Sequence, residues 1–273
     1  MLCAFNEGLI LSGQLNTASL VLANRLMTTI GNRDDTPDPK LKEIFYRHFA
    51  WLTALRFYLR DKRSWENTFA AGNASFLARN PSPESHSTLE DELKIYLPSA
   101  DVQRVMAHRG DKEALILHWQ YVAIRELYDK SLISEFMFSG LAAGLDELLR
   151  LQGGLKRIKN YPYSRNYCSI AVILVVIFVA LVPFGLFRDA RELGEAAGIG
   201  NWTVWLNVPF SLIVGWTFVS LEKVGENSSN PFEGNANDVP ISSITRRIEI
   251  EMRMLLGEQT DLKPIEAKND ILF

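Results

Sequence analysis

The chain has 273 residues, a formal charge of −3 and 47% hydrophobic residues. That balance excludes a strongly basic nucleic-acid binder, and two isolated cysteines, Cys3 and Cys168, exclude a disulfide framework or a cysteine-based metal cluster. The average hides an uneven distribution: no charged residue occurs from Asn166 to Phe187 or from Ala196 to Leu221, and charge is crowded into the flanks.

Met1–Gly31 lacks a basic start and carries Glu7 early, so it does not read as a secretory signal. Leu9, Leu11, Leu15, Leu20, Leu22 and Leu26 instead give it the apolar side of a helix that Gly31-Asn32 stops. Pro37 and Pro39 punctuate a linker. Lys40–Arg60 then places Ile44, Phe45, Phe49, Trp51, Leu52, Leu55 and Leu59 at helical spacing, and Arg47, Arg56, Arg60, Lys62 and Arg63 are expected to form a solvated basic face. Asn80–His86 is a loop. Thr88 and Asp91 make a capping box for a short helix, so Glu84, Glu90, Asp91 and Glu92 read as a solvated helix start. Ser99 is placed as the cap of the next turn.

Asp111–Asn160 predicts one uninterrupted helix, with Gly153-Gly154 permitting a bend or a close helix contact. His118 and Trp119 on it are expected to pack rather than to bind. The four histidines are scattered, and no strand alternation, phosphate loop or nucleophile elbow occurs, so no enzyme is expected.

Tyr167–Phe187, bracketed by Arg165 and Arg188, supplies the roughly 20 apolar residues that cross a bilayer core. Trp202–Leu221 supplies a second span, with Trp202 and Trp205 as interfacial anchors at one end. Pro209 is expected to kink it, and Asn207, Ser211 and Thr217 to face protein rather than lipid. Arg188–Asn201 reads as a short connecting loop. Lys156, Arg157, Lys159 and Arg165 precede the first span, which by the positive-inside rule makes both large flanks cytoplasmic. The expectation is therefore an all-α integral protein of the cell membrane. It has a cytoplasmic helical region over 1–165, a lipid-embedded two-helix transmembrane hairpin over 166–221, and a cytoplasmic segment, helix and tail over 222–273. The tail from Gly257 is expected to be loosely ordered or draped over neighbouring subunits.

After the second span comes EKVGENSSNPFEGNANDVPISSITRRIEIEM. Pro231 and Pro240 bracket a polar stretch that cannot be regular helix. Phe232 is a natural core anchor, and Asn230 and Asp238 suit local backbone hydrogen bonds. This stretch resembles the bacterial bestrophin family in Glu222 and Glu226, in Asn230-Pro231-Phe232, in Asn237-Asp238-Val239-Pro240 and in the following Ile248-Glu249 and Glu251. A second resemblance lies at Lys156-Arg157-Ile158 and Pro162 with Tyr167, where Tyr161, Tyr163 and Ser164 replace the family's usual Thr, Ile and Pro. A fainter one joins Phe5-Asn6-Glu7 to Gly13 and Asn16.

The resemblance implies a subunit of a pentameric, passive ion channel that conducts chloride or other small ions, with lipid and its own copies as partners and without cofactor or nucleic acid. The alternative is a non-conducting membrane-anchored helical scaffold or a truncated member. In such channels an apolar neck gates by dewetting and a second constriction lies at a cytoplasmic aperture. The family's first two spans, with the neck, correspond to sequence upstream of Met1. The aperture position falls on Tyr163, held by Pro162; read from the residues alone, Tyr163 equally suits an anchor at the membrane surface. With only Glu233 and Asp238 acidic in NPFEGNANDVP, no structural metal is expected.

Overall fold

The computed structural model describes residues 2–30, 38–63, 71–161, 165–196, 198, 202–227, 230–235, 238–267 and 271–272. Among them the regular structure is helical: α1 (Leu2–Ile30), α2 (Pro39–Arg60), α3 (Ala71–Arg79), α4 (Leu89–Tyr96), α5 (Ser99–Ala107), α6 (Lys112–Asp129), α7 (Glu135–Asn160), α8 (Arg165–Ala196), α9 (Thr203–Asn227) and α10 (Ile241–Leu255). The chain divides into two compact units, one of residues 3–161 with 230–273 and one of residues 162–229 with the first two residues.

The larger unit is built round α2. Asp38 caps this helix by accepting the Lys40 amide at 2.7 Å, and Pro39 at its first position has no amide to leave unpaired. Its sequence is apolar on more than one face, so α2 is buried on nearly every side, with α4, α6, α7 and α10 packed against it. Trp51, Phe45 and Phe49 fill the centre of the core. Two polar groups carried inside find partners across helices: the Trp51 indole donates to Gln152 Oε1 at 2.7 Å, and Gln120 Nε2 to the Ile44 carbonyl at 2.7 Å. α1 runs antiparallel to α7, as shown by Glu7 with Arg157, Leu11 with Gly154, Leu22 with Gly144 and Arg25 with the Gly140 carbonyl. A Cβ at Gly154 would lie 3.0 Å from Leu11 Cδ1, so this glycine serves a close helix contact.

Four expectations need correction. The stretch Asp111–Asn160 is two helices: Ser131 adopts φ 57°, the Leu132 amide closes α6 onto the Leu127 carbonyl at 3.0 Å, and Ser134 Oγ caps α7 through the Met137 amide. A serine willing to cap outweighed a continuing apolar pattern. Ser99 is the first residue of α5, and Pro98 occupies the cap position. Arg188–Asn201 is not simply a loop, because α8 continues to Ala196, supported by Arg188–Glu192 (2.7 Å) and Arg191–Glu195 (3.2 Å) one turn apart. The tail beyond Gly257 is pinned at its start, where Glu258 meets Lys42 Nζ at 2.6 Å, Arg253 Nη1 at 3.0 Å and the Tyr46 hydroxyl at 3.1 Å.

The smaller unit is a helical hairpin. α8 and α9 pack antiparallel through Phe178 on Phe218 (ring centroids 4.6 Å apart) and Val179 against Gly215, with Asn207 Nδ2 donating to the Pro183 carbonyl at 2.7 Å. Ser211 donates in turn to Asn207 Oδ1 at 3.0 Å, so Asn207 and Ser211 face protein. Most of the remaining side chains point away from the hairpin: Ile173, Leu174, Val176, Leu181 and Phe184 on α8 and Leu206, Phe210, Leu212 and Ile213 on α9 are exposed. A soluble core helix buries such residues. Two helices of 32 and 25 residues with continuous outward apolar surface are long enough to cross a bilayer, and this is a membrane hairpin.

Candidate functional site

In the segment that follows the hairpin, the described residues 230–235 and 238–240 are irregular and are tied together by side chains. Asn230 Nδ2 donates to Glu233 Oε1 at 2.7 Å, and Asn235 Nδ2 to Glu233 Oε2 at 2.8 Å. Asp238 Oδ2 accepts the amides of Gly234 (2.5 Å) and Asn235 (3.1 Å). The Val239 amide reaches the Pro231 carbonyl at 2.9 Å, joining the two ends. Gly234 turns the chain at φ 93°, a value a side chain tolerates poorly. Pro240 sits at the cap position of α10, where its carbonyl accepts the Ile244 amide.

Phe232 is the anchor that plugs this loop into the bundle core, at 1% exposure. The floor beneath it is Gly8 of α1: a Cβ there would lie 3.3 Å from Pro231, 3.4 Å from Phe232 and 3.4 Å from Val239. Among the described site residues, Asn230, Pro231, Phe232, Asp238 and Pro240 thus belong to one loop seated on α1 and α2. Asn237, Pro162 and Tyr163 lie outside the described residues.

Against this loop α2 presents two arginines that the sequence reading had placed in solvent. Arg56, 6% exposed, pairs with Glu84 at 3.1 Å and, in tight contact, with Glu92. Glu84 stands in a short 3-10 turn (Pro83–Ser85), Glu92 in α4, and Glu84 also accepts the Ser242 hydroxyl of α10 at 2.6 Å. Arg60 lies 3.7 Å from Asp238 Oδ2 and 3.9 Å from Glu84 Oε2. The solvated basic face and the solvated acidic helix start are therefore, at Arg56, Arg60, Glu84 and Glu92, two halves of one internal ion network. The sequence held a signal for it: Leu52, Leu55 and Leu59 flank these arginines in the second half of α2, where apolar residues occupy most positions, so cations carried there call for carboxylates inside. Glu90 and Asp91 do face solvent; Thr88 caps α4 by accepting the Asp91 amide at 3.2 Å, and its hydroxyl donates to Asp91 Oδ2 at 2.6 Å. Burial pushes the Asp238 carboxyl up to about 7, against the Arg60 charge and the two backbone donors that favour its ionised form.

A second charged group braces the last turns of α7, just ahead of residue 162. Lys156 Nζ lies 2.7 Å from Asp111 and 3.4 Å from Glu113, and 4.1 Å above the Tyr58 ring. Burial raises Glu113 above the usual carboxylate range, opposed by its backbone hydrogen bond and by Lys156. Tyr58 and Asn160 exchange hydrogen bonds at 3.0 and 2.7 Å, fixing the helix end.

Neither group resembles a catalytic constellation. His48 is fully buried, shares a 3.1 Å hydrogen bond with Ser19 Oγ and is pushed down to about 3 by burial, so it is neutral. His118 is exposed, while Trp119 packs on the core. Among the described residues no group of three or more His, Cys, Asp or Glu is placed to hold a metal.

Comparison with known proteins adds the following. Residues 4–254 match the family described as Bacterial/Fungal Bestrophin protein. The voltage-dependent anion channel-forming protein YneE of Salmonella typhi is 27% identical over 250 residues, which is 90% of this chain and 67% of that protein. The voltage-dependent anion channel-forming protein RSc3414 of Ralstonia nicotianae is 29% identical over 168 residues, 62% of this chain and 50% of that one. Among solved structures, a bacterial bestrophin homolog from Klebsiella pneumoniae superposes with a TM-score of 0.74 at 21% identity, covering 94% of this chain and 80% of that one.

Proposed function

The chain belongs to the bacterial and fungal bestrophin family, and from that membership we propose that it is a subunit of a passive anion channel, conducting chloride or other small anions through a pore shared by identical copies. The observation that carries the reading is the family match over residues 4–254, taken with relatives that are named voltage-dependent anion channel-forming proteins. The hairpin inserts the chain in the membrane, and the basic residues before it support an orientation with both flanks, 1–165 and 222–273, in the cytoplasm. Five copies would form the channel, as the resemblance implies, with Tyr163 on Pro162 at the cytoplasmic aperture. The loop built on Asn230, Pro231, Phe232, Asp238 and Pro240 has a structural role in this reading, and no enzymatic step is assigned.

The test is ion flux from liposomes reconstituted with the chain, under an imposed membrane potential. Chloride flux above that of empty liposomes, from a preparation whose mass corresponds to five copies, is the expected result. A monomer that leaves the liposomes ion-tight refutes the proposal.

A further inference from the structure

Between α8 and α9, towards the turn that joins them, lies an open groove of about 540 Å³, walled by Leu186, Ala190 and Leu193 on one side and by Leu206, Phe210 and Val214 on the other. Leu193, Leu206 and Phe210 stay more than half exposed, so the two helices do not close it. Asn207 also lines the groove, but it is engaged by the Pro183 carbonyl and the Ser211 hydroxyl. The Asn207–Pro183 bond also sets a level. Counted along the helices, Asp189 lies about 9 Å beyond Pro183, and Trp202 about 8 Å before Asn207. Asp189, which lines the outer end of the groove, therefore stands level with the exposed Trp202 and Trp205, at the height where such rings meet lipid headgroups. Its neighbours on α8 are paired, Arg188 with Glu192 at 2.7 Å and Arg191 with Glu195 at 3.2 Å, whereas Asp189 makes no ion pair among the described residues. Ala197, Ile199, Gly200 and Asn201, which lie outside the described residues, bring no cation to this end of the hairpin.

We propose that this groove seats one acyl chain of a phospholipid whose headgroup carries a primary amine, with the ammonium on Asp189. Lipid tails are as apolar as the walls, so burial of the chain alone favours no lipid over another. Selection falls to the headgroup, where one carboxylate lacks a counter-ion. A primary ammonium offers N–H donors that a carboxylate accepts in short, charge-assisted bonds. A choline headgroup has the charge without the donors, and a glycerol headgroup sets an unbalanced phosphate against Asp189. Arg188, 86% exposed beside it, engages Glu192 through Nε. Its terminal nitrogens, which meet no acceptor among the described residues, suit the phosphate of the same lipid.

The experiment is native mass spectrometry of the full chain in detergent, supplied with an equimolar mixture of dioleoyl phosphatidylethanolamine, phosphatidylcholine and phosphatidylglycerol. Lipid retained per subunit is counted by headgroup. This readout does not require ion conduction, so it stands or falls separately from the channel reading. The native chain is expected to retain the ethanolamine lipid about threefold over either of the others, a ratio that an ion pair at an exposed site can supply. Asp189→Asn is expected to bring the three lipids to parity while leaving the total retained unchanged. Glu195→Gln, which removes an exposed carboxylate of the same helix that does not line the groove, is expected to keep the preference. Ala190→Phe, which fills the groove, is expected to lower the total. Parity in the native chain, or a preference that survives Asp189→Asn, overturns the proposal. So does a native chain that retains no lipid because a second copy covers the groove, seen as a mass that falls to the monomer in Ala190→Phe.

Discussion

Arg56→Met is the substitution that tests the buried network most directly. At an effective dielectric of about 20, the 3.1 Å contact with Glu84 carries an attraction of about 5 kcal/mol, most of it offset by the cost of dehydrating both groups. The methionine fills the space of the arginine stem but leaves Glu84 and Glu92 facing each other without a cation. Removing one partner of a buried pair costs about 3–5 kcal/mol, and Arg56 serves two carboxylates, so the loss should sit at the upper end. For a chain of this size that is a fall in Tm on the order of 10 °C, read by thermal unfolding in detergent. Arg125→Met supplies the control: its pair with Asp129 is of similar length, 2.9 Å, but both side chains are more than half exposed, and the cost there is less than about 1 kcal/mol. Adding Glu84→Gln and Glu92→Gln to Arg56→Met should recover part of the loss, because neutral amides need no buried counter-charge. If Arg56→Met melts within about 2 °C of Arg125→Met, or the triple variant is no more stable than the single one, the burial argument is wrong.

Three further outcomes are expected. Phe232→Ala empties a fully buried ring site and should cost about 3–5 kcal/mol, while Gly8→Leu, by driving a side chain into Pro231, Phe232 and Val239, should unseat the same loop; limited proteolysis within 230–240 that is unchanged in both would refute the packing. His48 is depressed from 6.5 to about 3, so below pH 6.5 the unfolded chain takes up a proton that the folded chain refuses. The stability this residue contributes is full above pH 6.5 and is lost as pH falls towards 3, at about 1.4 kcal/mol per unit. The difference in Tm between native chain and His48→Gln, compared at pH 7 and pH 5, isolates that slope from the opposite contribution of Asp238; equal slopes would sink the assignment. Tyr163→Ala should change the rate or selectivity of anion flux in liposomes, and unchanged flux removes Tyr163 from the aperture.

Local order was legible in the residues wherever a neighbour in the chain decides it. The period of Ile44, Phe45, Phe49, Leu52, Leu55 and Leu59 announced α2, and the structure runs it over Pro39–Arg60. Thr88 announced the start of α4, and two uncharged runs announced a membrane hairpin. The motif from Asn230 to Pro240 pointed to a family that the comparisons then showed. Local reasoning erred where two local signals competed: Ser134 broke a helix that the apolar pattern carried on, and charge after Phe187 was read as loop although its arginines and glutamates stand one helical turn apart.

The charged residues marked the boundary between what the chain states and what only folding settles. Arg56 and Glu92 are 36 residues apart, Glu84 and Ser242 are 158 apart, and Tyr46 meets Glu258 across 212. No periodicity reports such partnerships, because a guanidinium has the same local preferences in water and in a core. Whether it is a solvated surface group or half of an internal ion pair depends on what the tertiary structure brings against it. The sequence by itself determined helices, hairpin and family. The packing of distant segments round α2 decided which charges are buried, and with them the seat of the loop.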